Sequence, residues 1–278
     1  MKDYDIQVLI GQGSFGVVQR ATNKHTRKQV AIKQYEKSKL TQDQSGVDAL
    51  QQEINILSQL DHIGIMKYYD SIDSGNKVSI VVEYINGNNL YQYIRKLPGS
   101  RIIDENEVKK IFTKIVEAVQ YMHENNVCHR DLKLENILID RQSHEIKLID
   151  FGFSVKTRAI NEQKLHCECG TPIYMSPEMA QKRDHLGGPA DMWALGVILY
   201  ILLTGKTPFF ASFEDDLLRK IGSGKYKWPD FLTDKKGKIV ESSAGAKALV
   251  RKLMTYEERL RPTASKILED RWLSSIEI

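Results

Sequence analysis

At 278 residues, the chain is long enough for one large domain or two packed lobes around a substantial core. Its 41% apolar and 27% charged residues are ordinary for a globular protein, and a formal net charge of +4 argues only weakly for a phosphate-rich partner. Without a basic cluster or an aromatic-basic module, nucleic acid is set aside as a partner. Cys128, Cys167 and Cys169 are a sparse, odd set, which argues against a disulfide framework and for a reducing compartment. Residues 1–5 are polar and hold no apolar signal core, and the longest apolar run, residues 192–203, is too short to span a bilayer. The expectation is a soluble cytoplasmic protein, with the nucleus as the alternative. There is no internal repeat.

In chain order, Ile6 to Ile10 has the look of a strand that enters Gly11-Gln12-Gly13-Ser14-Phe15-Gly16, with a second strand from Val17. Glycines at this spacing let the backbone approach a phosphate with no Cβ in the way. Alone the pattern is weak, since it arises by chance in roughly one chain in ten at average glycine usage. A dinucleotide-binding turn would lead into a helix, whereas here a β-branched strand follows. Val30-Ala31-Ile32-Lys33 is an apolar strand ending in a cation, whose bland reading is a lysine snorkelling from a strand end. Leu50, Ile54 and Leu57 mark a helix over residues 47–60 that carries Glu53. Val78 to Val82 is a further strand running into Glu83-Tyr84-Ile85-Asn86-Gly87.

Asp104-Glu105-Asn106-Glu107 has the form of a capping box, followed at helical spacing by Val108, Ile111, Phe112, Ile115, Val116, Val119 and Met122. Next comes His129-Arg130-Asp131-Leu132-Lys133-Leu134-Glu135-Asn136, which packs an acid, a base and an amide into eight residues. Asp131 is suited to accept a proton from a hydroxyl, Lys133 to neutralise a phosphoryl oxygen, and Asn136 to offer a carbonyl to a hard cation. Ile137 to Ile139 and Glu145 to Leu148 form a hairpin turning through residues 141–144, which delivers Asp150-Phe151-Gly152. Asp191 opens the buried helix of residues 192–203, where a carboxylate also suits the helix dipole. Glu214-Asp215-Asp216 is a solvated helix start.

These motifs, in this order over about residues 4–273, closely resemble the catalytic domain of eukaryotic serine/threonine protein kinases. The resemblance implies an α+β, two-lobed fold within one domain spanning 1–278. A small, mainly antiparallel β N-lobe with one helix would cover about 1–83, a hinge about 83–88 and a larger, mainly helical C-lobe about 89–278. It implies ATP and Mg²⁺ as cofactors. Asp131 would be the catalytic base, with Lys133 beside it, and Asn136 and Asp150 the metal ligands. Ile10, Gly11, Gly13, Ser14, Phe15, Gly16, Val18, Ala31, Val82, Glu83, Ile85 and Leu138 would surround the nucleotide, with Val82 as gatekeeper and the Glu83 and Ile85 backbones facing adenine. Lys33 would hold the α and β phosphates and pair with Glu53. Phe151 would join His129, Leu57 and Tyr68 in a stack across the lobes, Asp191 would anchor the catalytic loop, and Arg261 would pair with Glu178.

The chain departs from the family's pattern in places. Asn89 stands where many kinases that prefer basic substrates have glutamate, Ser176 replaces an alanine, and Cys167 sits where many relatives carry a phosphorylated threonine. Because Arg130 is present, the resemblance implies an anion for it, supplied by Glu168 or by phosphorylation at Ser154 or Thr157. The run Gly170-Thr171-Pro172 and the position of Lys133 resemble serine/threonine rather than tyrosine kinases. The nearest likeness is to the calcium/calmodulin-dependent group or the autophagy-initiating kinases. A protein substrate is implied, with an upstream kinase or regulatory subunit as a further partner. A pseudokinase scaffold and a dual-specificity kinase are the alternatives. The first usually lacks an equivalent of Lys33, Asp131 or Asp150, and all three are present here.

Overall fold

The first third of the chain builds a sheet with a small apolar cluster on one face and the main core on the other. The computed structural model describes residues 1–12, 16–40, 44–96, 103–140, 142–143, 145–166, 169–230, 232–233 and 239–274. Five strands, β1 (Tyr4–Gln12), β2 (Gly16–Asn23), β3 (Gln29–Glu36), β4 (Tyr68–Asp73) and β5 (Lys77–Glu83), form an antiparallel sheet in the order β1-β2-β3-β5-β4. In β3, Val30 and Ile32 join Ala21 and Val81 in a small cluster on one face. Ala31 and Tyr35 point the other way, into the main core with Ile80 and Val82.

The sequence leads one to expect a single N-lobe helix over residues 47–60. Instead there are two, a short α1 (Lys37–Leu40) and α2 (Gln44–Leu57). Gly46 in the first turn of α2 hides its start, because glycine disfavours a helix on propensity alone. A Cβ at Gly46 would come 2.9 Å from the Leu40 carbonyl oxygen, so close packing accounts for that glycine. At the other end, the bonds from the Gln59 and Leu60 amides reach back only three residues, to Ile56 and Leu57, which tightens the chain out of the helix.

Beyond the sheet, β6 (Gly87–Asn89), α3 (Leu90–Lys96) and α4 (Glu105–Glu124) lead into the helical part. All seven apolar positions expected on α4 are buried. The capping box is half realised. Asp104 accepts from the Asn106 amide, but Glu107 accepts from the Tyr93 hydroxyl. A two-stranded pair joins β7 (Val127–Cys128) to the later β10 (Val155–Lys156). The expected hairpin is β8 (Ile137–Asp140) with β9 (Ile146–Leu148), and β6 adds a third strand to it. Residues 141 and 144 of its turn lie outside the described residues.

The short α5 (Pro177–Ala180) precedes α6 (Gly187–Thr204), which is longer than the apolar run suggests and has every residue buried. By length and composition it is the one helix among the described residues that could cross a membrane, and its burial makes it the core of the helical lobe. It ends at Gly205, whose φ of 65° is the left-handed cap that glycine accepts without strain. Against it packs α8 (Ala244–Leu253), after α7 (Glu214–Gly222). A Cβ at Gly196 would sit 2.5 Å from Met254 Cγ and 2.9 Å from Leu253 Cβ. Gly196→Ala is therefore expected to destabilise the chain by about 1–3 kcal/mol through overpacking. Urea unfolding measures this, and an unchanged midpoint would mean the two helices separate freely. Cys128 is free and buried, whereas Cys169 is disulfide-bonded.

Candidate active site

Two groups of polar side chains form here, one on Lys33 and one on Asp131. Lys33 Nζ, on β3, lies 2.9 Å from Glu53 Oε1 on α2 and 2.9 Å from Asp150 Oδ1, which follows β9. Asp131 and Asn136 enter on the loop after β7. Burial works against the charge on Lys33, but Glu53, Tyr35 and Asp150 outweigh it and hold its pKa well above the usual lysine value. Burial likewise pushes the Asp150 carboxyl up, yet the charge and hydrogen bond of Lys33 keep it below the ordinary aspartate range. Both groups are thus held charged.

The loop is fixed from below. Asp191, on the second turn of α6, accepts the His129 amide on Oδ2 and the Arg130 amide on Oδ1, each at 2.9 Å. His123 Nε2 from the end of α4 lies 3.0 Å from the same carboxylate. Burial raises the Asp191 pKa, but His123, the charge of His129 and the His129 amide together hold it below the usual range. These bonds are made at a strained point. Arg130 and Asp150 both have left-handed φ, 65° and 62°, which is costly for residues bearing a Cβ and persists only where surrounding bonds impose it. Asp191 therefore makes the bonds to the loop backbone expected of an anchor, which its place near the start of α6 also suits.

Asp131 is buried but well supplied with donors. Its Oδ1 accepts the Thr171 hydroxyl at 2.8 Å and the Thr171 amide at 2.9 Å. Its Oδ2 lies 2.6 Å from Lys133 Nζ and 3.1 Å from Asn136 Nδ2. A threonine hydroxyl of the chain already rests on the carboxylate, so the group is placed to accept from a hydroxyl. Lys133 also donates to the Thr171 hydroxyl at 2.8 Å, so the three form one network.

The fit to a divalent cation rests on the donor set. The Asn136 carboxamide spends its nitrogen on the Asp131 carbonyl and carboxylate, which leaves its oxygen as the free coordinating atom. Asp150 keeps its second oxygen beside the one that meets Lys33. Among the described residues there is no group of three or more His, Cys, Asp or Glu side chains that would hold a metal alone. Two protein oxygens, with the rest from phosphate and water, suit Mg²⁺, which retains water and favours phosphate.

The sheet register gathers the expected nucleotide-facing residues near Lys33. Val18 pairs with Lys33 and with Gly11, and Ala31 pairs with Val82. Ile10 falls at a bulge in β1 and is exposed. Gly16 has a packing reason besides any phosphate, since a Cβ there would lie 1.9 Å from the Gln34 carbonyl oxygen. Glu83 donates its amide to the Lys67 carbonyl, and its carboxylate meets Lys147 at 2.8 Å. Ile85 follows the strand, with its carbonyl bonded to the Gly87 amide. Leu138 sits in β8, opposite Asn89 and Lys147. Gly13, Ser14 and Phe15 lie outside the described residues, as do Cys167 and Glu168.

His129 and Phe151 rings stand 5.0 Å apart, and Leu57 and Tyr68 belong to the same core. Of the anions expected for Arg130, Glu168 lies outside the described residues, and the two candidate phosphorylation sites are covered. The side chains of Ser154 and Thr157 are buried, at 2% and 6% exposure, so a modifying enzyme cannot reach either hydroxyl in this conformation. Arg130 Nε instead donates to the Phe153 carbonyl. Sequence reasoning missed Tyr35, His123 and the bonding of Thr171. The first two carry no motif, and Thr171 was visible only as part of the Gly170-Thr171-Pro172 run.

Residues 4–273 match the family model described as "Protein kinase domain". Among curated proteins, the chain is 40% identical over 236 residues to "NUAK family SNF1-like kinase 1" of Homo sapiens, covering 85% of this chain and 35% of that protein. It is 34% identical over 272 residues to "CBL-interacting protein kinase 25" of Oryza sativa subsp. japonica, covering 97% and 51%. It is 33% identical over 270 residues to "CBL-interacting serine/threonine-protein kinase 3" of Arabidopsis thaliana, covering 97% and 58%. The chain thus spans about a third to somewhat over half the length of these relatives.

Proposed function

We propose that this chain, which belongs to the protein kinase domain family, transfers the γ-phosphoryl group of ATP to serine or threonine hydroxyls of protein substrates. The observation that carries the reading is the convergence of Glu53 and Asp150 on Lys33, each at 2.9 Å, in a chain that also presents a carboxylate accepting a hydroxyl. Mg²⁺, when bound with ATP, supplies neutralisation of the phosphate charge. Asp150 and the Asn136 carbonyl would hold it, and Lys33, fixed by Glu53, would hold the nonreacting phosphates. Asp131 orients the acceptor hydroxyl and takes its proton as the oxygen attacks phosphorus. Lys133, 2.6 Å from Asp131, is placed to offset charge on the transferring group. Positioning and charge account for most of the catalysis.

Two of these relatives carry CBL interaction in their names, which supports a regulatory partner for this chain as well; an upstream kinase is the other candidate partner. A full rate from the isolated, unmodified chain would remove the need for either. Of the two subgroups, the relatives support the calcium/calmodulin-dependent reading. Cytoplasmic or nuclear action is part of the proposal, because the reaction consumes ATP, and cell fractionation checks it.

The test is transfer of radiolabel from γ-labelled ATP to a degenerate library of Ser, Thr and Tyr peptides. Label on Ser and Thr alone is expected. Label on Tyr would point to dual specificity, and nucleotide binding with no transfer would point to a scaffold.

A further inference from the structure

We propose that Tyr35 is a positioning residue for the phosphate-binding ion pair and acts through Glu53. Period two along β3 places Ala31, Lys33 and Tyr35 on the same face, so the tyrosine stands beside the lysine as it reaches toward α2. Tyr35 is 7% exposed, and its hydroxyl donates to Glu53 Oε2 at 2.8 Å. The other oxygen of that carboxylate, Oε1, takes Lys33 at 2.9 Å. Lys33 Nζ lies 5.3 Å from the Tyr35 ring centroid, so a single side chain touches both members of the pair.

A carboxylate held by one long, flexible lysine is free to turn about its last torsion. A second donor on the opposite oxygen removes that freedom and fixes which edge faces the ammonium. Glu53 is 3% exposed, so water is a poor substitute for the hydroxyl. The same oxygen faces the turn that carries Asp150, because a Cβ at Gly152 would lie 3.8 Å from Glu53 Oε2. Burial pushes the Tyr35 hydroxyl far above its ordinary pKa, so it remains a donor throughout the working pH range.

The bland alternative is that Tyr35 only fills the core. A cycle of Tyr35→Phe, Glu53→Leu and the double variant separates the two readings, because the phenylalanine keeps the ring and the leucine leaves the hydroxyl no carboxylate to orient. The measurements are kcat and KM for ATP, the dissociation constant of Mg·ADP by calorimetry, and far-UV dichroism. Tyr35→Phe is expected to lower kcat/KM for ATP by about ten-fold, chiefly through KM, with unchanged dichroism. In the Glu53→Leu background, it should cause no further loss.

A single variant within about two-fold of the parent, or losses that multiply in full, would overturn the proposal. So would loss of folding in Tyr35→Phe, since a hydroxyl that only orients Glu53 is not needed for the core. The inference rests on the kinase reading, and Mg·ADP affinity keeps the two apart. A chain that binds ADP and transfers nothing ends the kinase reading, while the coupling of Tyr35 to Glu53 is still read from affinity.

Discussion

Asp131→Asn is expected to lower kcat for phosphoryl transfer by about 10²–10⁴, the range that a positioned general base contributes, with little change in KM for ATP. The asparagine is nearly isosteric and can still accept from Thr171, so the loop should keep its shape. It can neither take up the acceptor's proton nor balance Lys133, which lies 2.6 Å from the carboxylate in the parent. The loss should therefore appear in turnover and not in nucleotide binding, because Lys33 is bonded to Glu53 and Asp150 and not to Asp131. Steady-state kinetics at saturating ATP, together with calorimetric titration of Mg·ADP, distinguish the two. A variant retaining more than about a third of the parent rate would remove Asp131 from the role of base.

Arg261→Ala is expected to destabilise the fold by about 3–5 kcal/mol, because it strands a buried carboxylate. Arg261 meets Glu178 with both terminal nitrogens, at 2.5 and 2.7 Å, and also donates to the carbonyls of Thr255, Tyr256 and Pro189. Its guanidinium lies 5.0 Å from the centroid of the buried Trp193 ring. The pair joins α5, at the end of the segment that carries Thr171, to the chain following α8.

Burial raises the Glu178 pKa, but the hydrogen bond and charge of Arg261 outweigh it and hold the group below the ordinary glutamate range. A depressed folded pKa means that the stabilisation is fully present above the unfolded value and is lost as pH falls through the folded one. The gap in urea midpoint between parent and variant should accordingly be widest near neutrality and narrow in acid. An equal gap at all pH values would show that the effect is lost packing and not charge. Replacing both residues with apolar side chains should recover part of the loss.

The elements with one clear periodicity were legible in the sequence. The seven buried positions of α4 and the β8–β9 pair needed only spacing and turn chemistry. The catalytic loop was legible as chemistry, because acid, base and amide lie within eight residues. Convergence was not, since Lys33 and Asp150 are separated by 117 positions and only the resemblance brought them together. Adenine recognition through the backbone leaves no side-chain signal at all.

Tyr35 escaped notice because an aromatic residue on the inward face of a strand is indistinguishable from core until the helix opposite is placed. The same blindness applied to Ser154 and Thr157. A two-residue strand, β10, closes that stretch against β7, and no periodicity can be read from two residues. Gly46 misled in the opposite sense. Propensity counted it against a helix that close packing required it to join.

The most direct measurement is a crystal structure of the chain with a nonhydrolysable ATP analogue and Mn²⁺, whose anomalous signal locates the metal. The expected result is a peak bound by the Asp150 carboxylate and the Asn136 carbonyl oxygen, with Lys33 on the phosphates and the Asp131 carboxylate facing the open side of the terminal one. A closed, nucleotide-filled cleft in which Asp150 and Asn136 turn away from the metal would contradict the assignment.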